Sequence, residues 1–173
     1  MNKQILSTQL RQNHDAFVQA LHTIPAAQWN LQPNGKWSAG QQLDHIVRSV
    51  QPVALALGLP FWVLRLLFGK SNRPSKSFEA LVDKYKSRLA AGGKASGRFV
   101  PTMVSWEAKG KRLAALEKQL NRLIRRMDRF SETQLDTLLL PHPLLGKLTL
   151  REMLYFTQYH VEHHHNALKN NVL

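Results

Sequence analysis

The chain has no cysteine. That excludes disulfides, thiolate nucleophiles and cysteine-ligated zinc ribbons, and it leaves His, Asp and Glu as the strong metal ligands. Acidic residues are scarce as well: 11 Asp and Glu stand against 24 Lys and Arg, a formal charge of +13. The excess favours polyanions or anionic small molecules through its long-range field. No apolar run reaches the roughly 20 residues of a membrane-spanning helix. The longest, residues 53–64, is broken by Pro60 and followed at once by Arg65. It reads as a buried helix end and an apolar connector, with a membrane-surface contact or a homodimer contact left open. No basic N-terminus leads into an apolar secretion segment, so a cytoplasmic protein is expected. Strands alternating with helices, a Gly-rich phosphate loop and internal repeats are all missing.

What is there is helical periodicity. In residues 2–21, Leu6, Leu10, Phe17 and Leu21 recur at helical spacing, with His14 on the same stripe as a half-buried packing residue. Pro25 and Pro33-Asn34-Gly35 mark a loop. A second helix opens at Ser38, which makes a capping box with Gln41, and carries the stripe Leu43, Ile46, Val47, Val50. Residues 71–75 are a loop. Phe78, Leu81, Val82, Tyr85 and Leu89 predict a short helix stopped by Gly92-Gly93. A third long helix is predicted over residues 102–130, packing through Leu113, Leu116, Leu120, Leu123, Met127 and Phe130. Lys111, Lys118, Arg122, Arg125 and Arg129 fall on another of its faces. They read as a solvated surface, or alternatively as the footprint of a basic nucleic-acid-binding module.

Pro141-His142-Pro143 and Gly146 read as a loop, and Thr149 with Glu152 as a second capping box opening the last helix. The expectation is one all-α domain over residues 1–173: four long helices, a short extra helix in the middle connection, and less than a few per cent strand.

The last helix carries Tyr159-His160-Val161-Glu162-His163-His164-His165. Met153, Thr157, His160, His164 and Leu168 fall at i, i+4, i+7, i+11 and i+15, so two imidazoles one turn apart lie on a face that otherwise reads as core. A His pair at i, i+4 can bind one metal ion, and a third His from another helix would complete a transition-metal site. Neighbouring motifs do not fit. A zinc protease needs His-Glu-x-x-His, whereas Glu162 is two residues beyond His160 and on another face. The His-x-Glu of zinc deaminases needs a Pro-Cys-x-x-Cys partner. Di-iron bundles need several inward carboxylates, and neither Glu152 nor Glu162 is clearly inward. No Gly-x-Ser-x-Gly elbow supports a serine triad. His45 lies on the shoulder of its helix stripe beside Gln41 and Ser49, where periodicity alone suggests a surface or boundary residue.

Trp37-Ser38 followed by His45, then Gly146-Lys147-Leu148-Thr149-Leu150-Arg151-Glu152, then His160-x-x-His163-His164 resemble the DinB-like superfamily, also called the YfiT-like or metal-dependent hydrolase group. The likeness covers nearly the whole chain. It implies a four-helix bundle and one divalent ion held by a His on the second helix and two, at i and i+4, on the last. On this chain these are His45, His160 and His164. The second of the paired positions is followed here by His165-Asn166-Ala167, where the superfamily often has Gln or Arg. Three imidazoles on one side of an ion would leave positions for water or substrate, as in catalytic sites. Zinc, nickel and iron all suit such ligands. The superfamily includes thiol-dependent transferases and isomerases, so a metal-dependent hydrolase or a transferase using a low-molecular-weight thiol is expected, acting on a small and anionic molecule. A non-catalytic metal-binding protein is the other reading. Gln41, His142 and His163 are candidates for lining or supporting the site, while His22 and His165 read as surface residues.

Overall fold

The computed structural model describes residues 1–171. In chain order the helices are α1 (Lys3–Thr23), α2 (Ala39–Ala56), α3 (Phe61–Phe68), α4 (Phe78–Ala90), α5 (Lys109–Met127) and α6 (Glu132–Thr137). A hairpin of β1 (Leu139–His142) and β2 (Gly146–Thr149) then leads into α7 (Leu150–Asn171). The long helices α1, α2, α5 and α7 make a four-helix bundle in which α2 packs on α5 and α7, and α1 packs on α7 and α5. The predicted stripes form the shared core: Leu6, Leu10, Phe17 and Leu21 meet Leu43, Ile46, Leu116, Leu120, Leu123 and Leu154. His14, expected to be half-buried, is buried with them and shares its Nδ1 hydrogen with Leu10 O at 2.8 Å.

The anticipated caps are present. Ser38 and Gln41 close the capping box of α2. Thr149 and Glu152 close that of α7, Glu152 N–H donating to Thr149 Oγ1 at 3.1 Å and Thr149 N–H to Glu152 Oε2 at 2.9 Å. At the end of α4, Gly92 has φ +87 and Gly93 N–H reaches back to Arg88 O at 2.9 Å, the αL closure that glycine permits.

Several expectations are corrected. The apolar run beyond Pro60 is not a connector but α3, whose inner side buries Leu64 and whose outer side leaves Phe61, Trp62, Leu66 and Leu67 exposed. Pro60 supplies a helix start there rather than a break. The third long helix begins at Lys109, not at 102, because residues 98–104, the end of a 3₁₀ turn (Gly97–Phe99) and the irregular stretch after it, are pinned along α2. Thr102 N–H donates to Asp44 Oδ2 at 2.8 Å, and Trp29 Nε1–H donates to Val104 O at 2.8 Å. Gly40 makes this approach possible, since a Cβ there would lie 2.7 Å from Val104 O. Glu132–Thr137, unassigned by periodicity, form α6 behind a Ser131–Gln134 capping box. The loop expected around Pro141-His142-Pro143 is the end and turn of the hairpin, with Leu139 opposite Thr149 and His142 opposite Gly146. Its strands are four residues each, too short to show alternation, and packing against the start of α7 sets them. Glu152, not clearly inward by sequence, is completely buried. No single described helix is long and apolar enough to cross a membrane.

Candidate metal centre

α7 presents His160 and His164 one turn apart toward α2, and α2 returns His45. The side chains are buried, at 5, 6 and 5 % exposure respectively. His160 Nε2 lies 3.1 Å from His45 Nε2 and 3.1 Å from His164 Nε2. One ring nitrogen from each residue falls within 4.8 Å of the others, so this group could hold a metal ion. The shoulder position of His45 is buried after all. The pinned 98–104 segment covers the side of α2 that periodicity would leave to solvent, and α5 and α7 cover the rest.

The remaining ring nitrogens explain the aim. His45 Nδ1 faces Phe99 O at 2.6 Å, and a carbonyl can only accept, so the hydrogen sits on Nδ1 and the Nε2 lone pair points inward. His164 Nδ1 meets Gln42 Oε1 and is set in the same tautomer. With both flanking Nε2 atoms as acceptors, His160 Nε2 carries the hydrogen between them when no ion is present. With the His160 hydrogen on Nδ1 instead, the neutral ring would turn its Nε2 lone pair inward as well, and a cation in that place would meet three lone pairs. The donor set therefore fits a divalent transition ion, with outer partners on two of the three imidazoles, as metal-binding histidines need. Burial, and then the neighbouring imidazoles, hold His160 and His164 well below their ordinary value of 6.5, and burial lowers His45 too, so all three are neutral at physiological pH.

The Phe99 carbonyl is itself held in place from Asp44. This carboxylate accepts from Thr102 N–H, from Arg48 Nε at 2.6 Å, and from Arg112. Arg48 Nη1 in turn donates to Arg98 O at 3.2 Å. Burial alone would push the Asp44 carboxyl up, but the Thr102 amide, Arg48 and Arg112 outweigh it and keep the group ionised. Trp37 closes one flank, stacked on His164 at 6.0 Å between ring centres and tilted against His45 at 4.8 Å.

On the open side a cavity of about 200 Å³ reaches His45 and His160. His142 lines it from the hairpin turn, its ring 4.2 Å from that of Phe156 and its Nδ1 accepting the Leu144 and Leu145 amides at 3.1 Å. Burial, with Lys84 beside it, lowers His142 to about 4. His163 is half-buried on the flank, edge-on to Tyr85 at 5.9 Å and to His164 at 5.2 Å. Gln41 does not reach the imidazoles. Its amide oxygen accepts from Ser38 N–H at 3.1 Å and from Gln32 Nε2 at 2.6 Å, and its neighbour Gln42 makes the contact to His164. Gln42 precedes His45 by three residues and Gln41 by four, so helical spacing could not choose between them. Phe99, Tyr85, Lys94 and Arg98 carried no local signal. His22 is exposed and His165 half-buried; Glu162, also half-buried, meets Asn13 Nδ2 at 3.5 Å, away from the cluster.

Comparison with known proteins agrees with this architecture. The crystal structure of TT2238, a four-helix bundle protein, superposes with a TM-score of 0.62 at 18 % identity, covering 98 % of this chain and 100 % of that one. No curated protein matches the chain. Residues 9–168 match the DinB superfamily, a span that includes α2, α7 and all three clustered histidines. The chain belongs to the DinB superfamily.

Proposed function

We propose that the protein is a metal-dependent enzyme that acts on a small molecule, by hydrolysis or by transfer involving a low-molecular-weight thiol. The observation that carries this is the convergence of three neutral imidazoles, two of which, His45 and His160, line a cavity rather than lying inside a sealed core. A structural ion is usually closed in by four protein ligands, whereas a catalytic one keeps a position open. A divalent ion held by His45, His160 and His164 would supply Lewis-acid activation of water or of a thiol.

The chain's own residues supply the rest. Phe99 O and Gln42 Oε1 keep the Nδ1 hydrogens of His45 and His164 and so aim both Nε2 lone pairs. Trp37 shields the cluster on one flank. Tyr85 lines the cavity, and burial raises its hydroxyl well above the ordinary value, so it keeps its proton and can donate to a polar group of the substrate. No Asp or Glu lines the cavity, which makes a carboxylate general base in it unavailable.

Elemental analysis of the wild type, His45→Ala and His164→Ala is the first test. One divalent ion per wild-type chain and loss of it in both variants is expected; equal content in all three would remove the site. Screening esters, amides and electrophile–thiol pairs with metal-loaded protein then tests the chemistry. Turnover that persists in His160→Ala would place the reaction elsewhere. Tight, stoichiometric metal without any turnover would favour a metal-binding protein without catalysis.

A further inference from the structure

The cavity above the histidines is asymmetric in a way that defines its ligand. Its inner walls are apolar, formed by Val53 and Ala56 of α2, Phe68 of α3, Leu140 of β1 and Phe156 of α7. Its remaining side comes from the segment joining α4 to α5, and there the lining includes the exposed cations Lys94 and Arg98. No acidic residue lines the cavity, and among the described residues no carboxylate pairs with either cation. Lys84 stands just behind the hairpin, its Nζ donating to Leu145 O at 2.8 Å, and adds to the same positive field. The buried imidazoles are neutral and do not offset it.

We infer that this cavity binds a small organic acid: one compact apolar body with a single carboxylate or phosphate group. The apolar body lies between Val53, Ala56 and Phe156, and the anionic group meets Lys94 and Arg98 at the mouth. Size limits the body. A cavity of about 200 Å³ is only somewhat larger than the roughly 150 Å³ engineered apolar cavity that takes up benzene, so one ring or a short alkyl chain fits and a long acyl chain does not. Charge selects the head group, because two cations without a carboxylate partner, Arg98 resting only on the Phe99 ring at 5.1 Å, gain charge-assisted hydrogen bonds from an anion and nothing comparable from an alcohol. That this ligand is the substrate rests on the reading of the histidine cluster given above. That it binds does not, so binding is measured on metal-free protein.

The experiment is calorimetric titration of chelator-treated protein with two matched pairs, phenylacetate against phenethyl alcohol and hexanoate against hexanol. The acids should bind at least about tenfold more tightly than the alcohols, the difference one or two charge-assisted hydrogen bonds confer. Lys94→Gln combined with Arg98→Gln should remove that difference and leave alcohol binding unchanged. Ala56→Phe, with an unaltered Tm as the check on folding, should abolish binding of both members of each pair. Alcohols binding as tightly as acids, an acid affinity indifferent to the Lys94 and Arg98 changes, or no binding at all would each overturn the inference. The two readings fail separately. Acid binding without metal uptake would defeat the metal-dependent function alone, and metal uptake without acid binding would defeat the ligand class alone.

Discussion

At the start of α7, Arg151 and Glu152 are buried among opposite charges; two turns further along the same helix, His160 and His164 are buried with none. Glu152 accepts from Arg73 Nη1 at 2.6 Å and Nη2 at 2.9 Å, and from the amides of Lys76 and Thr149. Arg151 meets Asp136 through Nε and Glu132 through Nη2, both at 2.6 Å. Every strong polar group there has its partner, and the result ties the long 57–108 excursion and α6 to the start of the helix. At the other end the three Nε2 atoms have only one another as partners, with no charged group among them. Buried charge that is fully paired is architecture. Buried imidazoles that converge beside a cavity, with no opposite charge to pair them, could hold a metal ion.

The largest expected effect is on acid stability, and it separates the two ends by pH. In metal-free protein the histidines are held below 6.5 by burial, His142 and His14 to about 4 and His160 and His164 lower than their ordinary value. The unfolded chain takes up protons near 6.5 that the folded chain refuses, so stability falls as pH drops from about 6.5 toward 4. The carboxylates behave differently. Arg151 holds Asp136 and Glu132 low, and for Glu152 the pull of Arg73 and two amides outweighs burial. Their contribution is present above the unfolded values of 3.8 to 4.5 and is lost below them. Urea midpoints measured across pH should therefore show two branches. His160→Gln should flatten the upper branch and Glu152→Gln the lower. A wild-type curve without an upper branch would break the comparison.

At neutral pH the charged end should be the more fragile. Glu152→Ala is expected to cost about 3 kcal/mol by urea denaturation, the low end for breaking a buried ion pair, because Arg73 is partly exposed and can turn to water. His160→Ala in metal-free protein should cost clearly less, since its ring borders the cavity. Equal losses would show that the histidine end is architecture too.

Gln42→Ala probes how the imidazoles are aimed. Removing the acceptor for His164 Nδ1 should raise the metal Kd about 10- to 100-fold while the urea midpoint stays near wild type. An unchanged Kd would mean that His164 is oriented by Trp37 alone. The smallest effect is expected one residue away. Gln41→Ala loses half of a capping box and should cost about 0.5–1 kcal/mol with metal affinity unaltered.

The parts of this molecule that could be read from the sequence are those whose cause is local. Leu6, Leu10, Phe17 and Leu21 mark a buried stripe through spacing alone, and Ser38–Gln41 and Thr149–Glu152 start helices by bonding their own backbones. The adjacency of His160 and His164 follows from a one-turn separation. Where a distant segment decides, reading fails. Thr102 looks helical until Asp44 takes its amide, and His45 looks half-exposed until Phe99 is laid over it. α3 looks like a connector because its core-facing content is one deeply buried residue, Leu64. The hairpin strands are too short for a period of two to appear.

By itself, then, the chain's sequence determined a helical bundle, two helix starts and a paired imidazole on the last helix, because periodicity and capping act over three or four residues. Tertiary structure decided that His45 joins that pair, that Gln42 rather than Gln41 orients it, that Glu152 faces Arg73, and that the cluster looks into a basic-mouthed cavity. The contacts among these join residues 54 to 122 positions apart within hydrogen-bond reach, and the cavity gathers its lining from α2, α4, the hairpin and α7 around one space. No local pattern encodes such a distance; the packing of the whole bundle does.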